Sequence, residues 1–305
     1  MVSIPKFPLR IAIDSFSRHI GQIRGNIARA TELCKTIEPH SVDLVCLPEM
    51  IFTGYTFPDA TSISSVLEEP SAGPTSKFCA ELAERLRCYV VAGYPERLRP
   101  EEVPSGDEAD QPVGANSAVM YGPNGDLINN YRKTNLFDTD KTWAKAGTGF
   151  ATIKLPPPLR TVCLGICMDL NAQPPYDWTI EEGPYELADH CITHKANLLI
   201  LLNAWLQSEK GSKDDDTDWS TLNFWAARLR PLWAESDNSV EQPDVDSPGT
   251  QRTVVIACNR SGEENGVKFA GSSACFDMKV GSGRPRLLDV MGKDEEGVRI
   301  WTFPQ

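Results

Sequence analysis

What most constrains this chain is a set of short runs that stay apolar from end to end. Leu44-Val45-Cys46-Leu47, Tyr89 to Tyr94, Arg160 to Cys167 and Leu198 to Leu202 are the clearest. A strand with one wet face alternates polar and apolar residues, whereas a strand covered on both faces has no need to. Between these runs lie stretches with helical periodicity. Ile20, Ile23, Ile27, Ala30 and Leu33 recur at three- and four-residue spacing, with Arg18, Arg24, Arg29 and Lys35 among them, until Pro39 stops the pattern. Phe78, Leu82, Ala83 and Leu86 do the same within Thr75 to Arg87, and a third helix is expected over Glu186 to Lys195. Leu9 to Ser15, Arg252 to Cys258, Ser272 to Asp277 and Gly297 to Phe303 add further strands. Asn116 to Tyr121 and Asp126 to Arg132 form a hairpin about the turn Gly122-Pro123-Asn124-Gly125. Strands alternating with helices, and covered on both sides, predict a layered α/β fold.

The 305 residues read as one domain. Polar segments near 99–112, 208–218 and 235–250 have strands on either side and are expected to be surface insertions. A net charge of -12 argues against a nucleic-acid partner. No stretch is long enough for a membrane span, and the first ten residues lack a signal peptide's apolar core. The nine cysteines are an odd number with no CxxC pair, which suits reduced thiols in the cytosol or nucleus.

Three candidate chemical groups sit just past predicted strands: Glu49 in Leu47-Pro48-Glu49-Met50, Lys133 in Tyr131-Arg132-Lys133-Thr134, and Cys167 in Gly165-Ile166-Cys167-Met168-Asp169. Strand ends are where rigid backbone meets open space in α/β sheets. A thiol attacks a carbonyl or nitrile carbon as thiolate, so a base or cation must stand close enough to lower its pKa. A carboxylate can take the thiol proton and pass it to a leaving amine, and an ammonium can hold the oxyanion. The backbone N–H of Met168 is a natural second donor. Each residue also has a plain structural reading: a buried thiol among nine, and two strand-end charges.

The order and spacing of these three segments resemble the nitrilase superfamily of carbon–nitrogen hydrolases. Asn116-Ser117-Ala118, Asn259-Arg260 and Phe269-Ala270-Gly271-Ser272-Ser273 extend the resemblance over nearly the whole chain. It implies a four-layer α-β-β-α sandwich, a Glu49–Lys133–Cys167 triad and no metal or organic cofactor. The chain departs from the pattern at one point. Many members carry a second glutamate soon after the lysine, and here only Asp138 and Asp140 precede Phe150, so either an aspartate serves or the role is absent.

Pro48 to Tyr55, Ala92 to Glu96, Gly165 to Asn171 and Asn203-Ala204-Trp205-Leu206 resemble more closely a fungal branch that deamidates proteins. That branch converts N-terminal Asn and Gln to Asp and Glu, marking proteins for degradation. The resemblance thus implies protein or peptide substrates with a free N-terminal Asn or Gln. Asp169, Asn171 and Asn203 are candidates for the α-amino group, and Trp205 for the pocket wall. Asp169 could equally position the nucleophile turn, and Trp205 could equally be core. Monomer and dimer both stay open. Two other readings share the fold: a small-molecule amidase or nitrilase, and a weakly catalytic binding protein that captures N-terminal residues. His190 and His194 have a metal-compatible spacing but lack the HExxH glutamate and read as structural.

Overall fold

The computed structural model describes residues 9–15, 20–103, 111–209, 215–235 and 251–303, with the backbone alone for 14–15. The expected surface insertions therefore fall largely outside the described residues, at 104–110, 210–214 and 236–250.

The first half of the chain builds one sheet. β1 (Leu9–Ser15), β2 (Leu44–Leu47) and β3 (Tyr89–Arg97) lie parallel, joined through α1 (Ile23–Cys34), the short α2 (Ala60–Ser64) and α3 (Pro74–Leu86). β4 (Gly114–Tyr121) and β5 (Leu127–Arg132) extend it as the expected antiparallel hairpin. After α4 (Asp138–Lys141) the second half repeats the plan. β7 (Thr161–Ile166), β8 (Leu198–Asn203) and β9 (Arg252–Asn259) are parallel, linked by α5 (Glu186–Thr193) and α6 (Trp219–Arg228). β6 (Ala151–Lys154) closes one edge. Past the small hairpin of β10 (Glu263–Glu264) and β11 (Val267–Lys268), β12 (Ala274–Lys279) and β13 (Arg286–Val290) close the other. β14 (Gly297–Phe303) then crosses back to pair antiparallel with β1, Leu9 opposite Phe303, tying the second half to the first sheet.

Side chains alternate across each strand, so each sheet has two buried faces. Leu44 and Cys46 of β2 join Leu164, Ile166, Ile200 and Leu202 between the sheets. Val45 and Leu47 face outward to Phe78, Leu82 and Leu86 of α3. Leu199 and Leu201 of β8 face outward to Leu187, Leu222 and Trp225 of α5 and α6. The result is the α-β-β-α sandwich, with one core shared by both halves. No helix among the described residues is long and apolar enough to cross a membrane.

The short α2 and α4, the β10–β11 hairpin, β6, β13 and α6 are additions to the sequence expectation. β6 and β13 are half-buried edge strands, so neither carries an unbroken apolar run. α6 begins right after an acidic stretch that reads as loop. It is capped by Asp218, whose carboxylate accepts from the Thr221 N–H.

Candidate active site

Glu49 follows β2 in a turn whose next residue, Met50, has φ +48°. The turn lies so close to β3 that a Cβ on Gly93 would come within 2.6 Å of the Glu49 Cα. Only glycine permits this approach, and the Ile51 N–H donates to the Gly93 carbonyl at 3.1 Å. From the far side Arg260 donates to the carbonyls of Glu49 (3.1 Å) and Met50 (2.8 Å). Arg260 is itself paired with buried Glu264, which accepts from the Tyr55 and Thr56 N–H groups. The turn carrying Glu49 is thus fixed from both sides.

Lys133 follows β5, its N–H bonded to the Asn116 carbonyl of β4 at 2.8 Å. Its side chain is fully buried. Nζ donates to Glu49 Oε1 at 2.8 Å and to Asp140 Oδ2 at 2.6 Å. Asn116 Nδ2 bridges the same two carboxylates at 2.7 and 3.1 Å. Asp140 is held in turn by the Phe137 N–H. Asp140 therefore supplies Lys133 with a second buried carboxylate beside Glu49. Asp138, the other candidate, points to solvent and pairs with Lys141. The sequence reading omitted Asp140 from its set, and the structure adds it.

Cys167 follows β7 with φ +42°, a left-handed conformation that a non-glycine residue adopts only when its surroundings enforce it. Asp169 does the enforcing. Its carboxylate accepts from Ile166 N–H (2.8 Å), Thr134 N–H (2.9 Å), Asn135 N–H (2.8 Å) and the Tyr131 hydroxyl (2.7 Å). Asn203 Oδ1 accepts from the Cys167 N–H at 3.2 Å. This favours one of the two readings of Asp169 and corrects the expectation for Asn203. Asp169 is saturated and buried away from the cavity, so it positions the nucleophile turn and has nothing left for an ammonium. Asn203 also acts on Cys167, and its unpartnered atom, Nδ2, is a donor.

Burial governs the electrostatics. It raises the Glu49 carboxyl above the ordinary range; Lys133 opposes this and the nearby charge of Asp140 reinforces it. Burial alone would lower the Lys133 ammonium, but Asp140 and Glu49 outweigh it, so Lys133 stays charged. The Cys167 thiol is pushed well up, by burial first and by Glu49 second, against Lys133 and the Ala204 N–H. The sequence expectation of a lowered thiol pKa is thereby reversed. At rest the sulfur keeps its proton, which must leave as the sulfur attacks, and a carboxylate of raised pKa is the better base for that step.

Cys167 opens onto a cavity of about 190 Å³, whose wall includes Tyr55, Phe137, Met168, Asn171, Ala204 and Trp205. Trp205 serves both readings, since it also packs edge-on to the core Trp225. Its backbone is clamped by Asn259, which accepts from the Trp205 N–H at 2.8 Å. Around this site Glu49 Oε2, Tyr55 OH and Asn171 Oδ1 have no partner. Buried polar atoms are rarely left unpaired, and water or a polar group of a substrate would satisfy these three. His190 lies elsewhere, bonded to Thr152 at 2.8 Å and stacked on His194.

Comparison with known proteins bears on the fold and the family. The chain is 29% identical to Protein N-terminal amidase of Schizosaccharomyces pombe, covering 96% of this chain and 98% of that one. It is 24% identical to Protein N-terminal amidase of Saccharomyces cerevisiae, covering 92% of this chain and 57% of the longer relative. A crystal structure of N-terminal amidase with a Gln-Val peptide superposes with a TM-score of 0.74, at 20% identity and over 97% of this chain and 98% of that one. The profile of the carbon-nitrogen hydrolases matches residues 17–182, a span containing Glu49, Lys133, Asp140 and Cys167. The chain belongs to the carbon-nitrogen hydrolase family.

Proposed function

We propose that the protein hydrolyses the side-chain carboxamide of an N-terminal Asn or Gln on proteins and peptides, giving Asp or Glu and ammonia. The observation that carries this reading is the buried Glu49–Lys133–Asp140 cluster beside Cys167, at a small cavity with an unpartnered neutral acceptor. Glu49 takes the thiol proton as the sulfur attacks the carboxamide carbon. The carbonyl electron pair moves to oxygen, where Lys133 and the Met168 N–H hold the negative charge. The C–N bond breaks as Glu49 returns the proton to the leaving ammonia, leaving a thioester on Cys167. Glu49 then deprotonates a water that attacks the thioester, and the thiol regains its proton.

The free α-amino group is received by Asn171 Oδ1. Aromatic walls from Tyr55, Phe137 and Trp205 also favour a cation. A weakly catalytic binding protein would suit a site lacking a second carboxylate on the lysine, and Asp140 beside Lys133 weighs against that reading. Nine buried free thiols suit a reducing compartment, and we propose the cytosol or nucleus as the place of action. The products there would mark their proteins for degradation.

Ammonia release from peptides beginning with Asn or Gln tests this, against the same peptides N-acetylated and against Cys167→Ala. The reading requires release only with a free amine and an intact Cys167. Equal release from acetylated peptides would turn it toward a general small-amide hydrolase.

A further inference from the structure

A second hollow of about 340 Å³ adjoins the cavity at Cys167. The two share Tyr55, Phe137 and Leu206, so they lie side by side along one wall, with Cys167 in the inner one. Phe57 and Pro58 wall the outer hollow on one side and Val267, on the β10–β11 hairpin, walls it on the other. No charged side chain lines it among the described residues, and Thr56, Thr139 and Asn265 are the polar members of an otherwise apolar wall. Both walls are tied to that hairpin. The Gln207 N–H donates to the Lys268 carbonyl at 2.9 Å, and Glu264 accepts from Tyr55 and Thr56 at 2.8 and 3.3 Å. Between the hollows Leu206 keeps 38% of its surface exposed.

The inner cavity, at about 190 Å³, is smaller than the roughly 300–1,000 Å³ of ordinary small-molecule sites. It takes one residue. When the side-chain carboxamide lies against Cys167, the α-carbonyl must carry the chain out, and the shared wall leads into the apolar hollow.

We infer that this outer hollow is the subsite for the second residue of the substrate chain and that it selects apolar side chains there. The inference rests on the amidase reading above and adds a sequence preference to it. Half-burying a leucine side chain in such a groove gains about half of its full transfer free energy. The preference for leucine over aspartate at the second position should then be about tenfold in kcat/KM.

The test measures ammonia release from Asn-Leu, Asn-Ala and Asn-Asp peptides and from asparagine N-methylamide, which has no second side chain. Wild type is compared with Val267→Lys and Pro58→Lys. The ratio of kcat/KM for Asn-Leu over Asn-Asp is read within each variant, so loss of folded protein cancels. The inference expects about tenfold in wild type, falling to parity or below in both lysine variants. Turnover of all substrates with a flat ratio in wild type, or a ratio unmoved in both variants, would overturn the subsite while leaving the amidase reading intact. No release even from the N-methylamide would sink that reading, and the subsite with it.

Discussion

Replacing Asp140 by asparagine removes one of the two negative charges on Lys133 at almost constant volume. Asp140 Oδ2 and Glu49 Oε1 lie 2.6 and 2.8 Å from the same Nζ. Two oxygens bonded to one ammonium sit within about 5 Å of each other. At an effective dielectric near 20, unit charges at that distance repel by about 3 kcal/mol. Together with burial, this repulsion holds the Glu49 carboxyl above its ordinary range and makes it a stronger base. Glu49 must be unprotonated to accept the thiol proton, so kcat/KM rises with pH through its titration. In Asp140→Asn this acid limb moves to lower pH, because a raising charge is gone. If about half of the 3 kcal/mol reaches the transition state, the plateau falls roughly tenfold. Breaking a buried ion pair outright costs about 3–5 kcal/mol. Here Lys133 keeps Glu49, so a stability loss of about 2 kcal/mol is expected. The assay is ammonia release across pH for both proteins, with urea unfolding alongside. An unmoved acid limb with a wild-type plateau would refute the reasoning. A drop in stability alone would make Asp140 merely structural.

Asp169→Asn and Gly93→Ala test the supports of the site. Burial pushes the Asp169 carboxyl up to about 6, above its value in the unfolded chain. A raised folded-state pKa means that stability grows as pH falls from about 6 toward 4 and is lost as pH rises through that window. The change is about 3 kcal/mol. Asp169→Asn should flatten this slope in urea titrations at a series of pH values and should lower kcat by disordering the Cys167 turn. A retained slope would assign it to other groups. Gly93→Ala drives a methyl group into the Glu49 turn, at a cost of about 1–3 kcal/mol. Its kcat/KM should fall at least tenfold with the secondary structure unchanged by circular dichroism, and wild-type kinetics would contradict the packing account.

Glu49 and Cys167 were legible in the sequence because each follows a run whose burial is written in its composition, whereas Lys133 follows the half-exposed β5 and was marked by the family resemblance. The layers were legible for the same reason, since β2 and β8 carry apolar side chains on both faces. What stayed hidden depends on neighbours distant in sequence. Asp138 and Asp140 look alike in the chain, and only the packing of α4 turns one to Lys133 and the other to water. Arg260 reaches the Glu49 turn across 211 residues, and although Asn259-Arg260 belongs to the resemblance, nothing local shows which turn it holds. The state of the thiol was misread because burial, which raises it, outweighs the lysine that sequence reasoning set beside it. Asp169 was read two ways, and the four donors around it decide for positioning.

The central claim is a thioester on Cys167 formed from an N-terminal carboxamide. Acid quenching during turnover of an Asn-initiated peptide, followed by mass spectrometry of the digested protein, reads it directly. The account predicts an adduct of peptide mass less ammonia on the fragment containing Cys167, lost on alkaline hydroxylamine treatment and absent with the N-acetylated peptide. Steady ammonia release with no adduct on that fragment, or undiminished release by Cys167→Ala, would contradict it.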